Sequence, residues 1–143
     1  MEQMLAIADQ QNIVVEYFDF SPPLERIYLE EKAMPPAIGL NCSLHDDIPL
    51  LRSVMAEELG HHFTTVGMHT PREYYNYTDR LRIDRCEHKA LQWAANYLIP
   101  DQQLRTAFHE GIDTVSTLAE HFLVTPEIVR FKLRLFERHI APQ

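Results

Sequence analysis

Glu57, Glu58 and His61 fall within one short stretch, Glu57-Glu58-Leu59-Gly60-His61. They lie late in an apolar-periodic segment, which predicts a helix. On a helix Glu57 and His61 are i and i+4, on one face one turn apart. Glu58 is the next residue round, near the same face. A carboxylate and an imidazole one turn apart can both donate to one metal ion, and a neighbouring carboxylate can take a proton from water. The common form of this layout is H-E-x-x-H, with two histidines on zinc and the glutamate as general base. Here the first position is glutamate, so the motif is E-E-x-x-H. The competing reading is a solvated helix face that carries Glu-Glu and His-His, because glutamate is common in helices.

A fourth side chain of this kind is Glu87. It sits in a stripe of Ile83, Ala90, Leu91, Ala94 and Leu98 at helical spacing. A carboxylate on an apolar face must be paired, protonated or bound to a cation, because burying it alone is too costly. A salt bridge with Arg82, Arg85 or an arginine from elsewhere is the alternative. Cys86 is adjacent; a ligand role and a buried structural role are both compatible with its position, the second being the commoner case. The loop at 65–78 carries His69, Pro71, Tyr74, Tyr75 and Tyr77, which can cover a site or pack over the domain.

These residues need elements to hold them. Met1 to Gln11 is a short helix ended by Asn12. Ile13–Phe18, Arg26–Leu29 and Ala37–Leu40 are short strands, with Ser21-Pro22-Pro23 and Met34-Pro35-Pro36 between them, and they predict a small antiparallel sheet. Asp46 or Asp47 caps a helix from about Asp47 to Thr65, with Pro49 in its first turn. Its apolar set is Leu51, Met55, Leu59 and Phe63, with Glu57, Glu58 and His61 beside that stripe, at the core boundary. Gly60 costs about 1 kcal/mol relative to alanine inside a helix; either another element approaches there or the cost is simply tolerated. The next helix runs from Asp79 to Leu98, and Ala90, Ala94 and Ala95 let it pack closely on the first. Short helices follow at 101–110 and 114–122. Thr125 and Pro126 then open a last helix to about His139 with Ile128, Phe131 and Leu135 on one side. The last two helices have the outline of a helix-turn-helix. Arg130, Arg134 and Arg138 form a basic row on the second, read as a solvated face.

At 143 residues, with 45% hydrophobic and 24% charged content, the chain suits one soluble domain with a single core. A net charge of -8 argues against a general nucleic-acid binder. No secretory signal and no membrane span is evident, so the expectation is a cytoplasmic protein whose Cys42 and Cys86 are reduced thiols.

Three blocks in order resemble the ImmA/IrrE family of metallopeptidases from bacteria and their mobile elements. Ala56-Glu57-Glu58-Leu59-Gly60-His61-His62 is similar to the family's A-H-E-L-G-H-h. Glu87-His88-Lys89-Ala90, continuing through Trp93-Ala94-Ala95 to Leu98-Ile99-Pro100, resembles its E-x-x-A-x-x-F-A and L-L-x-P. Leu118-Ala119-Glu120-His121-Phe122-Leu123-Val124-Thr125, with Arg130 and Leu133, resembles its L-A-x-x-F-x-V-S and R-L segments. The resemblance spans nearly the whole chain. It implies an α+β fold: a small three-stranded sheet packed on a zincin-like helical core, followed by a C-terminal helix-turn-helix-like pair. One domain over 1–143 would comprise a sheet portion at 1–45, the motif and third-ligand helices at 46–100, and C-terminal helices at 101–143.

Carried over by position, Glu57, His61 and Glu87 are the metal ligands and Glu58 is the general base. The departure is Glu57, where the family has histidine. Two carboxylates neutralise a divalent ion and weaken it as a Lewis acid, and they lean the site from zinc towards manganese or iron. His62 points about 100° round the helix from His61 and is read as a supporting or core residue. The resemblance implies a metal-dependent endopeptidase whose partner and substrate is a repressor-type regulatory protein of a prophage or integrative element. A catalytically inactive pseudo-peptidase that binds its partner, and a DNA-binding regulator using 114–139, are the alternatives.

Overall fold

The computed structural model describes residues 1–19, 26–31, 34–64 and 77–140. Tyr74, Tyr75 and His69 lie outside the described residues, as do the side chains of Cys86, Tyr77 and Ile83. The described chain is mixed helix and strand and mostly helical, an α+β fold.

Helix α1 (Glu2–Gln10) buries Met4 and Ala8, one turn apart. It ends where Asn12 takes a left-handed conformation, φ 57°, and the Ile13 N–H donates back to the Ala8 carbonyl at 2.8 Å. That six-to-one closure satisfies a helix-end carbonyl and turns the chain straight into a strand. Strands β1 (Val14–Phe18), β2 (Arg26–Glu31) and β3 (Met34–Asn41) form a sheet in the order β1-β3-β2.

The sheet is not purely antiparallel, as its short turns had suggested. β3 is central; β2 pairs with it antiparallel and β1 pairs with it parallel. The hairpin joins β2 to β3, so β1 must take the other edge of β3, and there its direction is parallel. Ile38, Gly39 and Leu40 of this central strand are buried. β3 also starts earlier than expected and includes Pro35 and Pro36. Both precede the segment paired with β1, which begins at Ala37, and lie beside the irregularity between Leu29 and Glu31. Proline is tolerated there because the ladder is already interrupted.

A 3-10 turn at Cys42–Asp46 leads into α2 (Ile48–Thr64). Asp47 is the cap: its Oδ1 accepts from the Leu50 N–H at 3.2 Å. Helix α3 (Tyr77–Leu98) packs on α2 more extensively than any other helix does. Ala90, Ala94 and Ala95 are fully buried there, as their size predicts. Gly60 is the position of closest approach. A Cβ built on it would collide with the Ala90 carbonyl oxygen and lie 3.0 Å from the Ala90 carbonyl carbon and Cα. The glycine is therefore required by packing rather than merely tolerated.

Helices α4 (Asp101–His109), α5 (Val115–Phe122) and α6 (Pro126–Ile140) complete the fold. Thr114 and Thr117 form a reciprocal capping box at the start of α5. Leu123, φ 54°, ends α5 in the left-handed region. The turn that follows is tied to α2: the Thr125 N–H donates to Ser53 Oγ at 3.1 Å, and Arg52 Nε donates to the Leu123 carbonyl at 3.0 Å. Ile128, Phe131 and Leu135 of α6 are buried, as expected from their spacing. Lys132 is buried too, at 2% exposure, which its charge did not suggest. Its ammonium donates to Asn96 Oδ1 at 2.8 Å and pairs with Asp101. One cation thus joins α6 to the end of α3 and the start of α4.

Candidate metal centre

Helix α2 is buried almost all round, not along one stripe. Leu51, Met55 and Leu59 are buried as expected, but so are Val54, Ala56, Gly60 and His61. Phe63, expected in the apolar set, is instead exposed at the helix end, where its ring stacks on Trp93 at 5.1 Å. Glu58 is fully buried and Glu57 is 12% exposed. The motif therefore lies deeper than the core boundary. It is held there by α3 on one side and the sheet on the other.

The Gly60–Ala90 contact fixes how closely the two helices run. Across it, His61 Nε2 lies 3.3 Å from Glu87 Oε1. The carboxylate on the apolar stripe of α3 thus has an imidazole partner from α2; the side chain of Arg82, offered as an alternative partner, lies outside the described residues. His62 faces elsewhere: its Nε2 is 3.3 Å from Gln11 Oε1, and its ring meets Phe63 edge-on.

Glu57, one turn before His61, is engaged with a residue that spacing could not reveal. The Arg26 guanidinium, from the first position of β2, makes an ion pair with Glu57 through Nη1 and lies 3.1 Å from Glu58 Oε1 through Nε. Burial pushes the Glu57 carboxyl above its ordinary range. Arg26 pulls it down, the Glu58 and Glu87 carboxylates push it up, and His61 pulls it down. Burial and repulsion outweigh the two attractions.

The donor set can be tested against a divalent ion. Its kinds fit: one imidazole and carboxylates, the borderline-hard ligands of zinc, manganese and iron. Its charge suits a cation, because the Glu58 and Glu87 carboxylates both act on Glu57, while Arg26 pairs with Glu57 and Glu58. Two candidate ligands, His61 and Glu87, are already together. Glu57 is not with them; it is turned to Arg26. Among the described residues no three His, Cys, Asp or Glu side chains converge closely enough to hold an ion. The set fits a divalent cation in kind, and Glu57 is meanwhile ion-paired with Arg26 through Oε2.

Beside this cluster is a cleft of about 350 Å3. Arg26 and Glu57 stand on its wall with Val54 of α2, Leu91 of α3, and Ile128 and Phe131 of α6. Arg26 could not have been found from motif spacing, since it lies on a strand distant in sequence. The available signal was the motif's own charge: adjacent glutamates on a buried helix demand a cation.

The family model described as the IrrE N-terminal-like domain, Peptidase_M78, matches residues 8–134. No curated protein and no solved structure matches the chain. No helix among the described residues is long and apolar enough to cross a membrane.

Proposed function

The chain belongs to the family of the IrrE N-terminal-like domain, and from that premise we propose that it is a metal-dependent endopeptidase acting on a repressor-type regulatory protein of a prophage or integrative element. The family suggests a metallopeptidase-type activity. The observation that carries the reading to this chain is the 3.3 Å approach of His61 Nε2 and Glu87 Oε1 across α2 and α3, beside the buried Glu58.

His61, Glu87 and Glu57 would hold the ion, zinc by the family's habit and manganese or iron by the carboxylate content of the site. Such an ion supplies Lewis acidity towards a peptide carbonyl and makes its bound water more acidic. Glu58 takes the proton of the attacking water and delivers it to the leaving amine, which requires a carboxylate held in a dry pocket. Glu58 is fully buried, with Arg26 Nε 3.1 Å from its Oε1. β2 lies at an edge of the sheet and carries Arg26 to the site. A substrate strand adding to that edge would run past the cluster, with apolar side chains entering the cleft lined by Leu91, Ile128 and Phe131.

One observation favours a second reading, a pseudo-peptidase that binds its partner without cleaving it: Glu57 is ion-paired with Arg26, and no three candidate ligands converge among the described residues. Elemental analysis of protein purified without chelator separates the two. One equivalent of metal, lost in Glu57→Ala, supports the enzyme. No metal even after reconstitution with zinc, manganese and iron in turn overturns it and leaves the binding protein. A regulator that binds DNA through α5 and α6 is disfavoured by the net charge of -8.

A further inference from the structure

Arg26 is a third kind of participant in this site, neither ligand nor base. Its guanidinium pairs with Glu57 and reaches Glu58 Oε1 at 3.1 Å, so one cation faces both carboxylates of the E-E pair. We propose that Arg26 is an internal stand-in for the metal, holding Glu57 and Glu58 until a divalent ion competes it away. The inference rests on the proposed metal-dependent function and concerns what the ion must displace.

Three features point this way. Arginine stays protonated at any physiological pH, so it cannot leave the carboxylates by losing its charge; it leaves only when another cation replaces it. The pair is not sealed, the side chains of Arg26 and Glu57 being 22% and 12% exposed, so exchange needs no unfolding. The displaced side chain also has somewhere to go, because Arg26 already lines the cleft and Glu127 on the same wall offers another carboxylate. In the metal-free protein Arg26 thus offsets the repulsion between adjacent buried carboxylates. In exchange it lowers metal affinity, since the ion competes with the guanidinium for the Glu57 carboxylate, in an ion pair that a histidine in the first ligand position would not form.

The test is zinc binding by titration calorimetry on chelator-stripped protein, for the wild type, Arg26→Gln, Arg26→Lys, Glu57→Gln and the Arg26→Gln/Glu57→Gln double variant. Folding of each is checked by circular dichroism. Arg26→Gln is expected to bind zinc roughly tenfold more tightly, the size of coupling seen between contacting charged residues. Arg26→Lys keeps the charge but not the fork and should fall between. Glu57→Gln should abolish the gain from Arg26→Gln, since the competition runs through that carboxylate. Thermal unfolding supplies the second readout: metal-free Arg26→Gln should melt below the wild type and gain more from added zinc. Equal zinc affinity in the wild type and a folded Arg26→Gln overturns this inference and leaves the metal-dependent function intact. Binding of zinc, manganese and iron by none of the proteins overturns both.

Discussion

Gly60 of α2 lies directly against the backbone of Ala90 of α3, with no room between them for a methyl group. The consequence is felt one residue on, where His61 reaches across to Glu87 at 3.3 Å. Packing and site are the same contact. A larger residue at Gly60 pushes against backbone, which cannot rotate away as a side chain can.

Gly60→Ala therefore separates two opposing effects. Alanine gains about 1 kcal/mol of helix propensity. Overpacking against backbone costs about 1–3 kcal/mol. The expected net is destabilisation, with weaker metal binding because α2 and α3 are forced apart. Chemical denaturation measures the first and calorimetry the second. A variant more stable than the wild type would show that the helices separate without cost.

Glu87→Gln removes one of the two side chains that already meet. Loss of a partner that only orients a metal ligand costs about 10–100-fold in affinity. Loss of a direct ligand should cost at least the upper end of that range. The amide is nearly the same size, so circular dichroism should be unchanged. Unaltered metal affinity would assign Glu87 to a structural pair with His61 and take it out of the ligand set.

Lys132 gives a prediction about stability alone. Its long stem is buried, and its ammonium joins Asn96 and Asp101. Asp101 is half exposed, so the ion pair is screened and most of the contribution is packing and hydrogen bonding. Lys132→Met conserves volume and should change stability by only about 1 kcal/mol. Lys132→Ala removes the buried stem beside Asn96 and Asp101 and should cost about 2–4 kcal/mol. Urea denaturation of the pair decides it: equal losses would place the energy in the charge.

The sequence disclosed what repeats along one element and hid what meets between elements. The spacing of Leu51, Met55 and Leu59 located α2, and the small residues Ala90, Ala94 and Ala95 located its contact with α3. Helix ends were legible where a side chain caps them, at Asp47 and Thr125. Strand direction was not: whether β1 runs parallel or antiparallel depends on which edge of β3 it takes, and residue types are the same either way. Phe63 was misread because a helical stripe does not say where the core stops. At the site, Glu57, Glu58, His61 and Glu87 were visible from type and spacing, but Arg26 was not. Its role exists only because β2 brings it over α2. Lys132 was hidden for the same reason, since its partners lie on α3 and α4.

Glu58→Gln is the substitution that isolates chemistry from binding. Glu58 is fully buried, and its amide analogue has nearly the same shape, so folding and metal content should be retained. The amide cannot take a proton from water. Loss of a general base lowers turnover by about 100- to 10,000-fold. The measurement is cleavage of the proposed repressor-type substrate by the variant and the wild type at equal metal occupancy. Cleavage lost with metal retained assigns the proton transfer to Glu58. Cleavage retained would move that step to another group. Metal lost along with cleavage would mean that Glu58 itself helps to hold the ion, and that Arg26 guards a ligand at both of its contacts.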